Sequence, residues 1–300
     1  MMATNFRILG PPQAYLDDRP VALGSPNEQR ALVPLLAQRG TFMSREALQR
    51  WVWDQPVARN TVESLMAGLR GRLDDLGLSG ALVCEQGQCK LNVPADSVDV
   101  HRFQALVGAA GQADDERAAV LYREAFDLVY GDPLGVLTGE RLGNYRVELV
   151  DRIDIARVRW MEVELRLGNH DQYLPELAAL HRDKPFDEMV AELLMLAHYR
   201  SGRQDLALAV YRETAEFIMD ELGNEVREPL ARMHKRILDH DPALIPARAE
   251  AIEAITKPDA KPDDSSATEA PGAVHISGNH VTGERAMIAG SITNHWQTGG

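Results

Sequence analysis

The chain has 300 residues, 45% apolar and 26% charged, a composition that fits a soluble globular protein of about two domains. No run approaches the roughly 18 uninterrupted apolar residues of a membrane span, and the start MMATNFRILGPP has no basic region followed by an apolar run, so a cytoplasmic protein without membrane contact is expected. Two cysteines, Cys84 and Cys89, exclude a disulfide framework and a four-cysteine zinc site.

The formal charge of −13 argues against nucleic acid only as an average, because phosphate neutralisation needs local Lys and Arg. Residues 1–97 hold ten basic residues (Arg7, Arg19, Arg30, Arg39, Arg45, Arg50, Arg59, Arg70, Arg72, Lys90) and ten acidic ones. The thirteen excess negative charges all lie beyond residue 97. A near-neutral N-terminal part on an acidic body binds DNA weakly alone and gains from pairing or from a partner.

Along the chain, Phe6-Arg7-Ile8-Leu9, Ala14-Tyr15-Leu16 and Val21-Ala22-Leu23 are short apolar segments. They are separated by Pro11-Pro12, Asp17-Asp18 and Gly24-Ser25-Pro26, the pattern of a small antiparallel sheet. Asn27 is the expected cap of a helix carrying Ala31, Leu32, Leu35 and Leu36, and Ser44 the cap of a second. A third helix is expected from about Ala58 to Leu76. Ala81–Cys84 and Cys89–Val93 then form a hairpin around Gly87, which supplies a positive φ. Sheet, three helices and hairpin describe a winged helix-turn-helix, and the leading sheet resembles the output domain of OmpR-type response regulators.

On a wheel of about 100° per residue, the third helix buries Val62, Met66, Leu69 and Leu73, flanked by Leu65 and Leu76. It presents Asn60, Ser64, Ala67, Gly68 and Gly71 on the other side. Interior glycines cost roughly 0.5–1 kcal/mol each against alanine, so a bare flank suits close approach to a duplex. Asn60 and Ser64, with Thr61, would meet base edges or phosphates while Arg59, Arg70 and Arg72 pin the strands. Gln86, Gln88 and Lys90 on the hairpin would touch backbone or minor groove. The bland alternatives are an exposed helix and a solvated lysine. Trp51-Val-Trp53-Asp54-Gln-Pro56 reads as an aromatic loop, one tryptophan filling the core and the other offering a protein contact.

From Ser97 to Pro242 the pattern is helical throughout. Gly168 and Gly202 are 34 residues apart, with Tyr173/Ala207, Leu177/Tyr211 and Leu180/Thr214 in register, the tetratricopeptide period. Pro185 is expected at the end of the first repeat, and Ala118, Tyr122 and Ala125 form a looser earlier copy. Residues 243–272 read as a solvated linker, and 273–300 as a glycine-punctuated tail with strand-period apolar residues. An extra strand pair, a disordered end or a cross-β signalling motif all fit that tail. Nothing fixes His275, His280 and His295 as metal ligands. No catalytic or cofactor motif is present, so neither an enzyme nor a metal or cofactor protein is expected.

The ordered stretches Phe6-Arg-Ile-Leu-Gly-Pro, Gln29-Arg-Ala-Leu, Ala58-Arg-Asn-Thr-Val, Val98-Asp-Val-His-Arg-Phe103, Leu121-Tyr-Arg-Glu-Ala125, Tyr130-Gly-Asp-Pro-Leu134, Ala197-His-Tyr-Arg-Ser-Gly-Arg203, Asp220-Glu-Leu-Gly223 and Ile237-Leu-Asp-His-Asp-Pro242 resemble the Streptomyces antibiotic regulatory protein (SARP) family. The resemblance implies a mainly α protein: an OmpR-type winged helix over 1–97, then an all-α, tetratricopeptide-like bacterial transcriptional activator domain over 98–242. It implies a cytoplasmic, nucleoid-associated activator of antibiotic or secondary-metabolite genes. Such a protein would bind direct repeats in double-stranded promoter DNA as a homodimer and recruit RNA polymerase holoenzyme. Two positions depart from the family: Leu65-Met-Ala-Gly68-Leu-Arg70 stands where Tyr-Val-Ser-Arg-Leu-Arg is usual, and Cys89 replaces a usual tyrosine. The rival expectation is a tetratricopeptide-like interaction scaffold whose winged helix has lost DNA affinity. A Cys84–Cys89 bridge is not expected under cytoplasmic redox conditions; two separate thiols are.

Overall fold

Strand β1 (Thr4–Arg7) opens a three-stranded antiparallel sheet with β2 (Gln13–Leu16) and β3 (Arg19–Val21) in the computed structural model, which describes residues 4–245. Phe6 opposite Ala14 puts both side chains on the buried face. The β2–β3 turn is Asp17-Asp18, both in the left-handed region at φ 48° and 61°, which matches the twist of a two-residue hairpin. Except for residues 243–245, the expected linker over 243–272 lies outside the described residues, as do the whole tail over 273–300 and its histidines.

Helix α1 spans Pro26–Ala37 and buries Ala31, Leu32, Leu35 and Leu36. Its cap is Ser25, not Asn27. Ser25 Oγ accepts from the Glu28 N–H, the Glu28 carboxylate accepts from the Ser25 N–H at 2.6 Å, and Pro26 takes the first helical position. This reciprocal box satisfies two otherwise orphaned amides, which Asn27, two residues later and inside the helix, could not do. Strand β4 (Met43–Ser44) leads into α2 (Arg45–Val52), where Ser44 Oγ accepts from Ala47 N–H at 3.1 Å. Helix α3 runs Arg59–Asp75, and β5 (Leu82–Glu85) and β6 (Gln88–Leu91) form the hairpin, with β6 between β4 and β5. Gln86 (φ 47°) and Gly87 (φ 79°) make its two-residue turn.

Cys84 and Cys89 face each other in the hairpin register and are joined as a disulfide, correcting the expectation of separate thiols. Compartment chemistry argued against a bridge, but the register brings the two Cα atoms to 4.2 Å, which makes pairing a local event.

The remaining residues form α4 (Asp99–Ala110), α5 (Asp115–Phe126), the long α6 (Glu140–Arg166), α7 (His170–Asp183), α8 (Glu188–Arg200), α9 (Gln204–Leu222) and α10 (Glu228–Leu238). Gly168 (φ 85°) and Gly202 (φ 71°) each precede a helical hairpin, α7–α8 and α9–α10. Only glycine adopts such angles without strain, so the 34-residue spacing marks a repeated turn. Tyr173, Leu177, Leu180, Ala207 and Thr214 are buried, as are Ala118, Tyr122 and Ala125 of α5. Pro185 is not at the end of a repeat but between α7 and α8, where its missing N–H closes one helix before the next begins. Glu164 is almost fully buried and accepts from Trp160 Nε1 (3.0 Å), Tyr173 Oη (3.1 Å) and Asn169 Nδ2 (2.6 Å), tying α6 to α7.

One apolar core runs from Phe6, Ile8 and Leu9 through α1–α3 into Val100, Phe103, Tyr122 and Leu149, so the winged helix and α4–α6 pack as one body. A second core under α7–α10 begins at Val158, Met161 and Leu165 of α6. At the junction Asp99 is 3% exposed. Its Oδ2 accepts from the Ile8 and Leu9 amides at 2.7 and 2.8 Å, and its Oδ1 from Val100 N–H at 2.7 Å. Burial, only partly countered by these amides, pushes its pKa up to about 6. Arg39 Nε donates to His101 Nδ1 at 3.0 Å, which leaves Nε2–H to donate to the Leu36 carbonyl at 2.8 Å. Burial holds that imidazole below the usual histidine range.

Candidate nucleic-acid interface

Helix α3 sorts its residues as its periodicity dictates. Val62, Leu65, Met66, Leu69 and Leu73 are buried, whereas Asn60, Thr61, Ser64, Ala67 and Gly71 are exposed. Positions 60, 64, 67 and 71 form one outward stripe, because steps of three and four residues return to the same side of a helix. The two glycines differ. A Cβ on Gly71 would meet nothing within 4 Å among the described residues, whereas one on Gly68 would lie 2.4 Å from Glu28 Oε1. Gly68 therefore makes room for the capping box of α1, and Gly71 leaves an open flank.

Charge frames the stripe. Arg59 Nε pairs with Glu63 at 2.8 Å, with side chains 85% and 54% exposed, and Arg72 Nη1 lies 3.5 Å from Asp75. Exposed pairs of this kind are worth only about 0.3–0.5 kcal/mol, so a phosphate can compete for either arginine. Arg70 is exposed and borders a cleft of about 480 Å³ between α2, α3 and the hairpin turn, lined also by Arg45, Gln49, Arg59, Met66 and Gly87. Arg45 counts in the sequence only as one of the basic residues of 1–97, and no motif places it at this surface. Its backbone N–H donates to the Gly87 carbonyl at 2.9 Å and its Nε is buried with no hydrogen-bond partner among the described residues. The available signal was its place directly after the Ser44 cap.

Gln86 and Gln88 are exposed at the hairpin turn. Lys90 is half-buried, with Nζ 4.5 Å from the Phe42 ring centroid, so its charge sits over an aromatic face. The tryptophan segment differs from the expected loop. Trp51 lies in the last turn of α2 and packs edge-on against Tyr145 of α6 at 5.7 Å. Trp53 is half-buried against the same core, and Asp54 Oδ1 accepts from Glu140 N–H at 3.2 Å at the start of α6. Helix α2 continues through Trp51 because that ring gains an aromatic partner, and the three residues join the winged helix to α6.

The model of the bacterial transcriptional activator domain matches residues 98–238. Regulatory protein AfsR of Streptomyces coelicolor is 36% identical over 263 residues, which cover 85% of this chain and 26% of that protein. Regulatory protein DnrI of Streptomyces peucetius is 29% identical over 255 residues, covering 80% of this chain and 93% of that one. A solved structure, Mycobacterium tuberculosis EmbR in complex with a low affinity phosphopeptide, aligns with a TM-score of 0.74 at 26% identity, over 85% of this chain and 71% of that chain. The chain belongs to the SARP family. It spans about a quarter of the AfsR proteins it matches. The family's winged-helix and helical architecture is the one described above, and no helix among the described residues is long and apolar enough to cross a membrane.

Proposed function

We propose that this SARP-family chain is a sequence-specific DNA-binding activator of antibiotic or secondary-metabolite genes, working in the cytoplasm at the nucleoid. The observation that carries this reading is the outward stripe Asn60, Ser64, Ala67 and Gly71, left open by the packing of the described residues and flanked by Arg59, Arg70 and Arg72. Residues 1–97 supply the reading unit, in which α3 enters the major groove and Gln86 and Gln88 reach the neighbouring backbone. Lys90 and Gly68 belong to this surface at its margin, since each already has a neighbour within the chain. Residues 98–242 hold a second protomer on adjacent direct repeats and contact RNA polymerase, their acidity keeping them off the phosphates.

A salt series of binding titrations against promoter DNA and random duplex tests this. Preference for the promoter, with affinity falling steeply as salt rises, supports it. A chain with no preference that still captures polymerase subunits is instead an interaction scaffold. The intramolecular partners of Arg59, Arg72 and Lys90 favour that second reading.

A further inference from the structure

The Cys84–Cys89 bridge lies inside the proposed reading unit, yet the fold does not need it. The hairpin is closed by the left-handed pair Gln86-Gly87 and anchored at its base by buried Leu82 and Leu91. The bridge encloses only Glu85, Gln86, Gly87 and Gln88. The two residues differ in burial: Cys89 is fully buried opposite Met43, whereas Cys84 is half-buried at the margin of the core. The enclosed turn also reaches the cleft beside α3, because the Gly87 carbonyl accepts from Arg45 N–H at the start of α2. A pair with one half-buried and one fully buried cysteine, set behind the turn of the proposed reading unit, has the layout of an exchangeable pair more than of a structural staple.

We propose that Cys84 and Cys89 form a reversible dithiol–disulfide site, exchanging with low-molecular-weight thiols and disulfides, that sets the order of the hairpin turn. Its effect on DNA rests on the function proposed above. In oxidation the Cys84 thiolate attacks one sulfur of a small disulfide, whose S–S bond breaks and releases one small thiolate. The Cys89 thiolate then attacks Cys84 Sγ, forming the protein bridge and releasing the second. Two electrons and two protons leave the cysteines and appear as two small thiols. In reduction a small thiolate attacks Cys84 Sγ, Cys89 leaves as thiolate, and a second small thiolate frees Cys84. The bridged turn presents Gln86 and Gln88 with less freedom to lose on docking, so the oxidised form binds DNA more tightly, by roughly threefold or more.

The test equilibrates the full-length chain in glutathione buffers of graded redox ratio, traps free thiols by alkylation and reads the intact mass. The chain has two cysteines, so the readout is unambiguous. DNA titrations are run on the same samples and on Cys84→Ser, with circular dichroism confirming its fold. A cooperative two-thiol transition within the buffer range, tighter DNA binding when oxidised, and redox-insensitive binding by the variant are expected. Thiols that stay free throughout, or a bridge that glutathione never opens, overturn the site. Equal DNA affinity in both states overturns the coupling. A clean thiol transition with no DNA binding in either state overturns the proposed function and leaves the dithiol site standing.

Discussion

Gly68 and Gly71 lie three residues apart on α3, and alanine at each should have different consequences. At Gly71 the added methyl meets nothing within 4 Å, so the helix gains about 0.5–1 kcal/mol from the lost backbone freedom of glycine. For a body of this size that raises Tm by about 1–4 °C. At Gly68 the same methyl would stand 2.4 Å from Glu28 Oε1, and that carboxylate also accepts the Ser25 N–H. It must rotate away, and losing this half of the capping box costs about 0.5–1 kcal/mol, so the propensity gain is cancelled. On DNA the order reverses: Gly71→Ala thickens the open stripe and should weaken binding roughly tenfold, or about 1.4 kcal/mol. Thermal unfolding by circular dichroism and fluorescence anisotropy with a labelled duplex measure the two effects. If Gly71→Ala keeps full DNA affinity, the bare flank does not approach the duplex. If Gly68→Ala raises Tm as much as Gly71→Ala, the packing role assigned to Gly68 is wrong.

Asp99→Asn tests the junction between the winged helix and α4. Because the folded pKa is raised from 3.8 to about 6, folding takes up a proton between those values, and the stability this group contributes is lost as pH rises through about 6. Urea titrations should therefore show the variant gaining on the parent protein between pH 4.5 and 7, by up to about 2 kcal/mol; a pH-independent difference would contradict the buried carboxylate. Glu164→Ala should cost about 3 kcal/mol in urea unfolding, because Trp160 Nε1, Tyr173 Oη and Asn169 Nδ2 lose their acceptor; a loss below 1 kcal/mol would show that water replaces it. Arg70→Ala should weaken binding to every duplex and lower its salt dependence, whereas Asn60→Ala and Ser64→Ala should also relax base preference. Uniform effects from all three variants, read by competition anisotropy, would undo that division.

The elements with strong periodicity were legible in the sequence. The wheel of α3 places its buried and exposed residues as the structure does, except Gly68, which packs against Glu28, and the paired glycines at 168 and 202 mark the repeated helical turn. Signals that compete locally were misread. Gly24-Ser25-Pro26 looks like a turn, which hides the Ser25–Glu28 box, and Trp51 looks like loop because its partner Tyr145 is 94 residues away. Strand β4, two residues long, is too short to show a period. The shared core and the Asp99 junction depend on pairings such as Ile8 with Asp99, which no local pattern encodes. Gly68 and Gly71 look identical in sequence, and only the position of Glu28 separates them.

The most direct test is a structure of the full-length chain on a duplex selected from random sequence. The account predicts Asn60, Ser64, Ala67 and Gly71 against base edges in a major groove, with Gln86 and Gln88 on the adjacent strand. A duplex bound elsewhere, or a second protein chain covering that stripe, would contradict it.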